Sequence, residues 1–372
     1  MFSEAGNKCV KQGDKKPGRG TNPGSLPTAI MQKAAVIIDN GSSFTRAGFA
    51  GQKKPMFVLR TMSLHPSCPG AMWETPCHLP PAERRVGFAT EPRTYPLKHG
   101  IIVDWDSMEN LWSHLFFCGL KALPEEHPVL MADSPSCPTT NREKVAEVLF
   151  ETFRVPALHV ANTGFLSLCA YGRVTGLAVE AGAGVSHVTS VSLGQTWREA
   201  TYRLDVAGCF LSNYLHNLLM KSSNDPSVLR TLKKKTVIQL KKQCCYVSMD
   251  YEGDLQDQAH HHSAGFQTPD GHWITLDKER FCYHCRRDVM GNVVLSGGSS
   301  MFPGFPERMC LELNVLFHGT GCQIKLLATP ERGTAAWAGG SMTASLKSFQ
   351  HMWMGKGEYE EHGAEYVHTK FQ

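Results

Sequence analysis

The stretch Ala35-Val-Ile-Ile-Asp-Asn-Gly-Ser-Ser-Phe-Thr-Arg-Ala-Gly-Phe-Ala-Gly51 decides the fold. Val36, Ile37 and Ile38 are β-branched and predict a buried strand. Asp39-Asn40-Gly41 predicts a tight hairpin turn, and Gly48 and Gly51 close the return strand. Such a turn presents successive backbone N–H groups, with the hydroxyls of Ser42 and Ser43, at a strand tip. That is an anion cradle. Asp39 cannot bind phosphate directly, but a carboxylate there can hold the waters of a Mg2+ ion that does. Arg46 adds a positive charge to the same hairpin.

The plan recurs in Gly176-Leu-Ala-Val-Glu-Ala-Gly-Ala-Gly-Val-Ser-His-Val188. An apolar strand again meets an acid, Glu180, then a glycine turn with Gly182, Gly184 and Val185, then Ser186 and a return strand. One such hairpin is ordinarily just a turn. Two of them, followed by a third glycine loop at Leu295-Ser-Gly-Gly-Ser-Ser-Met-Phe-Pro-Gly304, predict a duplicated architecture that clamps one phosphate chain from both sides. Gly297 and Gly298 in that loop let a ligand approach the backbone closely.

From Ala34 to its C-terminus the chain resembles actin and the actin-related proteins. The resemblance is carried by Ile38-Asp-Asn-Gly-Ser42, Ala47-Gly-Phe-Ala-Gly51, Asn141-Arg-Glu-Lys144, Phe150-Glu-Thr-Phe153, Leu204-Asp-Val-Ala-Gly208, Val294-Leu-Ser-Gly-Gly298, Pro330-Glu-Arg332, Trp337 and Gly339-Gly-Ser341. Sugar kinases and heat-shock chaperone ATPases share the hairpin logic but not these strings. The resemblance implies an α/β fold of two similar halves around a nucleotide cleft, each with a smaller outer subdomain. The implied division is 34–60, 96–170 and 341–372 for the first inner subdomain, 61–95 for its outer one, 171–207 with 286–340 for the second inner subdomain, and 208–285 for the second outer one. It implies ATP or ADP with Mg2+ as ligand. Asp39, Gly41, Ser42, Ser43, Arg46, Gly182, Gly184, Val185, Ser186, Lys241, Gly297, Gly298 and Met301 would bind the nucleotide, and Asp39 and Glu180 would reach the metal through water.

The departures from the family are as specific as the matches. Thr163 stands where actin has the glutamine that orients the attacking water, and threonine is too short to reach it. Glu180 and Ala183 stand where the family has two aspartates, while His187 remains. Lys242 replaces a glutamate that binds the ribose, and Gly333-Thr334 replaces a lysine–tyrosine pair beside the base. The phosphate cradle is thus kept and the hydrolytic groups are lost, which implies weak ATP-Mg binding with little or no hydrolysis and no catalytic residue. These departures are similar to those of the divergent actin-like proteins of the male germ line. A cleft at Cys169, Tyr171, Leu346 and Phe349 is implied to receive partner helices, including those of other actin-like proteins, although plain core packing explains Leu346 equally well. Around Leu64 to Trp73 the chain has little similarity to the actin loop that binds the next filament subunit. Between Phe281 and Cys285 it is roughly two dozen residues shorter than the family pattern, a difference ordinary loop lengths do not supply. A scaffold acting through protein partners is the leading expectation. A polymerising actin-type ATPase and a nuclear actin-related subunit of a chromatin complex stay open.

Composition bounds these readings. With 372 residues, 42% hydrophobic and 19% charged, the chain can bury a core and form more than one domain. A net charge of +4 does not by itself predict a nucleic-acid partner. There is no apolar run of membrane-spanning length and no apolar signal core at the N-terminus, so a cytosolic or nuclear location is expected; the resemblance implies a cytoplasmic, cytoskeletal one, with a nuclear or perinuclear one open. Thirteen scattered cysteines, an odd number, predict reduced and mostly buried thiols. Cys282-Tyr-His-Cys285 is a single C-x-x-C, with Cys244-Cys245 and His260-His-His262 upstream, and lacks the second spaced pair of a structural zinc site. Residues 1–33 are Gly, Pro, Lys and Ser rich and predict a disordered basic tail.

Local pattern gives the elements. Asp104 or Asp106 predicts a helix cap, with Met108, Leu111, Trp112, Leu115 and Phe116 on one face. His127 to Ala132 predicts a strand. Thr140 and Glu143 predict a capping box for a helix burying Val145, Val148, Leu149 and Phe153 and stopped at Pro156. A helix is expected from Phe165 to Tyr171 and an amphipathic one through Leu211, Leu215, Leu218 and Leu219. The alternation of strand and helix predicts an α/β fold.

Overall fold

Three β-branched residues in a row leave Val36–Asn40 (β1) no polar face, and Val36, Ile37 and Ile38 are wholly buried at the centre of a sheet. In the computed structural model, which describes residues 33–62, 94–256, 263–280, 292–320 and 324–371, β1 turns back antiparallel into Phe44–Phe49 (β2) and then Phe57–Arg60 (β3). A short hairpin follows, Leu97–Lys98 (β4) with Ile101–Ile102 (β5). Val129–Asp133 (β6) and Ala157–Asn162 (β7) then add in parallel beside β1. The second half repeats this. Gly176–Ala181 (β8), Ser186–Ser192 (β9) and Gln195–Leu204 (β10) form the meander. A separate hairpin, Ala264–Gln267 (β11) with Trp273–Leu276 (β12), lies apart. Asn292–Ser296 (β13) and Lys325–Leu327 (β14) complete the second sheet in parallel, and Met354–Gly355 (β15) returns to the edge of the first.

The orders are β3-β2-β1-β6-β7 with β15 outside, and β10-β9-β8-β13-β14. Both put an antiparallel meander beside two parallel strands. Parallel neighbours require long crossovers, and helices supply them. This is the duplicated α/β plan that the resemblance implies.

The first crossover begins at the helix Trp105–His114, which is capped by Asp104, accepting from the Ser107 N–H at 3.1 Å. Met108, Leu111 and Trp112, with Leu115 and Phe116 just beyond, are buried in the core of the first half. The expected capping box at Thr140 and Glu143 does not form. The helix Thr139–Glu147 starts two residues earlier than that cap implies, behind Pro138, with no side-chain cap. Glu143 is instead engaged by His368 at 2.6 Å, which ties the chain's last helix to this one. That helix also ends before Pro156. It widens into a π-type turn over Val148–Thr152, and Arg154 adopts a left-handed φ of 54°.

The helix placed at Phe165–Tyr171 spans Thr163–Ala170, capped by Asn162, which accepts from the Gly164 N–H at 2.8 Å. It packs against the helix Ala335–Ser345 with the two backbones nearly touching, since a Cβ on Gly339 would lie 1.7 Å from the Leu166 carbonyl oxygen. Trp337 on the second helix donates to the Ile37 carbonyl at 3.2 Å. Most of the 61–95 stretch, the basic tail, the Cys282, Cys285 and His260–His262 group and the short 281–285 join lie outside the described residues.

Candidate functional site

Strand β1 runs two residues further than the sequence suggests, taking in Asp39 and Asn40. Asn40 stays extended because its side chain is gripped from both sides, donating to the Met131 sulfur at 3.1 Å and accepting from Trp112 Nε1 at 3.3 Å. The turn is therefore Gly41–Ser43. Its shape is held by Thr61, whose hydroxyl donates to the Gly41 carbonyl at 2.6 Å and whose N–H donates to the Ser43 carbonyl at 3.1 Å. In the second loop the Gly182 N–H closes onto the Val185 carbonyl at 3.1 Å. The N–H groups of Ser42, Ser43, Ala183, Gly184 and Val185 find no acceptor among the described residues.

The two tips meet. A Cβ on Gly184 would lie 2.4 Å from Ser42 Oγ, and His99, in the β4–β5 turn, is 2.8 Å through Nδ1 from the Gly184 carbonyl. The third loop joins them through the Gly182 carbonyl, which accepts from Ser299 Oγ at 2.7 Å and from the Gly208 N–H at 3.0 Å. Gly297 has φ +87°, and a Cβ there would lie 2.3 Å from the Ala181 carbonyl oxygen, so the loop requires glycine. Gly298 faces open space. Met301 borders a recess of about 420 Å³ that Lys53, Lys54, Pro55, Glu331, Gly333 and Thr334 also line, on the side where the resemblance puts the base. The structure thus brings the loops that carry Gly41, Ser42, Ser43, Gly182, Gly184, Val185, Gly297 and Gly298 together. Ser186 is different, because its hydroxyl is spent on the Val206 carbonyl at 2.7 Å.

The charged groups are arranged behind these loops. Arg46 Nη1 contacts Asp39 Oδ2 at 3.0 Å. Glu180 is buried, and its two oxygens accept from Thr163 Oγ1 at 2.7 Å and Ser167 Oγ at 3.0 Å. Ser167 also contacts Ser296 Oγ at 2.9 Å. Burial pushes the Glu180 carboxyl up to about 7, against the two hydroxyls that pull it down and with the nearby Asp39 charge adding to the rise. Lys241 is buried and donates to the Gly208 carbonyl. Its ammonium lies 5.8 Å from the centre of the Phe302 ring, and burial pushes it down to about 8. Lys242 next to it is exposed. His187 is buried with Nε2 unpartnered, and burial pushes it down to about 4.

These groups suit a phosphate and do not suit a divalent metal. The five free N–H groups are donors for anionic oxygens. Asp39 is already paired, Glu180 is tied at both oxygens, and Ala183 has nothing to offer. Among the described residues no three His, Cys, Asp or Glu side chains converge to ligate a metal directly.

The implied partner cleft divides. Leu346 is 53% exposed, and Met342 and Val174 are exposed too. Phe349 is only 7% exposed, set edge-on against His159 and Trp353 at ring separations of 4.7 and 5.5 Å. Tyr171 turns its hydroxyl to the Leu295 carbonyl at 2.7 Å, and Cys169 hydrogen-bonds Thr343. Sequence reasoning missed Thr61, His99, Ser167, Gly208, Ser296 and Ser299. Only Ser167 carried a local signal, four residues from Thr163 on one helix face.

A sequence profile of the actin family matches residues 30–284 and 282–372. The break between the segments falls at the join where the chain is expected to be short. Actin-like protein 7B of Rattus norvegicus is 34% identical, over 99% of this chain and 95% of that protein. Actin-like protein 7A of Bos taurus is 36% identical, over 97% and 89%. The same protein of Mus musculus is 37% identical, over 95% and 86%.

Proposed function

Because the chain belongs to the actin family, we propose that it is an actin-like scaffold that binds a nucleotide as a structural ligand, does not hydrolyse it, and acts through protein partners. Actin-family proteins generally bind ATP or ADP with Mg2+ and are typically cytoskeletal. No helix among the described residues is long and apolar enough to cross a membrane.

One observation carries the reading. Thr163, at the position of the water-orienting side chain, is committed to Glu180 by a 2.7 Å hydrogen bond. Cleaving a γ-phosphate requires a positioned water and stabilised charge. A short hydroxyl already bonded to a carboxylate supplies neither. The binding half of the machinery is supported by the free N–H groups of both hairpin tips. Exposed Leu346, Met342 and Val174 support docking of a partner's amphipathic helix there. The male germ line as setting rests on the resemblance alone, and transcript levels across tissues test it.

The decisive measurement pairs melting temperature with phosphate release. ATP at a hundredfold excess over Kd raises stability by about 2.7 kcal/mol, so the melting temperature rises while phosphate release stays at background. Steady release abolished by Asp39→Ala would overturn the non-hydrolysing reading.

A further inference from the structure

Resting on the reading of the cleft as a nucleotide site, we propose that the phosphates bind as the metal-free polyanion. Arg46, Lys241 and the unpaired N–H groups of the two hairpin tips would meet their charge, in place of a divalent cation on Asp39 and Glu180.

A carboxylate that holds a metal, directly or through water, must present an oxygen to the cleft. Glu180 does not. Thr163 and Ser167, both from the helix Thr163–Ala170, hold one oxygen each. Turning Glu180 outward breaks two hydrogen bonds, takes the acceptor from the Thr163 hydroxyl and leaves the buried Ser167 hydroxyl with Ser296 alone. Asp39 is available only beside the Arg46 guanidinium, and a second cation placed there is repelled by the first. Ala183 removes any third carboxylate from the loop.

The cations, in contrast, are well placed. A Cβ on Gly41 would lie 3.6 Å from Arg46 Nη1, so the guanidinium sits against the first loop. Lys241 binds the carbonyl of Gly208, and the Gly208 N–H binds the carbonyl of Gly182. The ammonium is thus one residue away from the second loop. One cation stands at each hairpin, in a partly desolvated setting where charge interactions are strong. A ligand that fits this arrangement carries more negative charge than a metal-neutralised nucleotide does.

The test is isothermal titration of the whole protein with ATP in two buffers, one with Mg2+ and one with EDTA. The expected dissociation constants agree within about threefold, and Arg46→Met weakens binding about tenfold or more in both. Asp39→Asn, which removes a repelling carboxylate, binds at least as tightly as the parent in EDTA. Binding about tenfold or more weaker in EDTA than in Mg2+ overturns the inference while leaving the nucleotide site standing. No heat and no melting shift in either buffer overturns the nucleotide reading itself.

Discussion

Thr163 and Ala183 are single residues on which the chemistry turns. If they are what silences the cleft, the double change Thr163→Gln with Ala183→Asp both supplies a side chain of water-positioning length and frees Glu180 from one of its two hydroxyl partners. Phosphate release above that of the parent is the expected outcome, and a malachite-green assay reads it. His159 sets a second test at this scale. It is buried among Phe349, Trp353 and Phe371 with Nδ1 3.0 Å from the Met352 carbonyl, and burial pushes it down from 6.5 to about 4. His187 is lowered likewise. A histidine whose folded value is depressed contributes stability that is complete above the unfolded value near 6.5 and is lost as pH falls toward 4, up to about 3 kcal/mol each. Glu180, raised to about 7, acts in the opposite sense, its contribution fading as pH rises from 4.5 to 7. The two histidines outweigh it, so urea midpoints fall between pH 6.5 and 4, and His159→Phe flattens that slope. The residue types of this site were readable in the chain, but their commitments were not. Nothing local to Thr163 says that its hydroxyl belongs to Glu180, seventeen positions away in sequence.

At the level of elements, the contact between the helices Thr163–Ala170 and Ala335–Ser345 ties one hairpin system to the other. Gly339 leaves no room for even a methyl group against Leu166. Gly339→Ala therefore separates the helices and costs about 1–3 kcal/mol or more, measured as a lower urea midpoint. Gly357→Ala, with nothing within 4 Å of a Cβ, stays within about 0.5 kcal/mol of the parent. Leu346, just past the second helix, gives the matching surface test. Burying a leucine contributes about 1.5–3 kcal/mol, so Leu346→Asp weakens partner capture about tenfold or more while leaving the melting temperature unchanged. Helix bodies were legible from their apolar spacing, as at Met108, Leu111 and Trp112. The cap at Thr140 and Glu143 was not, because His368, far along the chain, competes for the glutamate.

For the whole molecule, the prediction concerns assembly. Filaments need repeating heterologous contacts, and the resemblance assigns two of these to the stretches where this sequence departs most, around Leu64–Trp73 and at the 281–285 join. Purified protein with ATP and salt is expected to stay in the supernatant on ultracentrifugation, and helical filaments in the pellet would refute this. The sequence by itself determined the repeated hairpin plan, the strand and helix alternation and the family, because glycine turns, β-branched runs and a capping Asp104 act over a few residues. Only the tertiary structure decided that the Ser42 and Gly184 tips meet, that Glu180 turns from the cleft toward Thr163 and Ser167, that Lys241 is buried against Gly208, and that Phe349 packs inside while Leu346 stays outside. Those outcomes depend on which hydrogen-bond donor or apolar surface arrives from a distant segment, and a desolvated carboxylate or ammonium takes the partner that arrives.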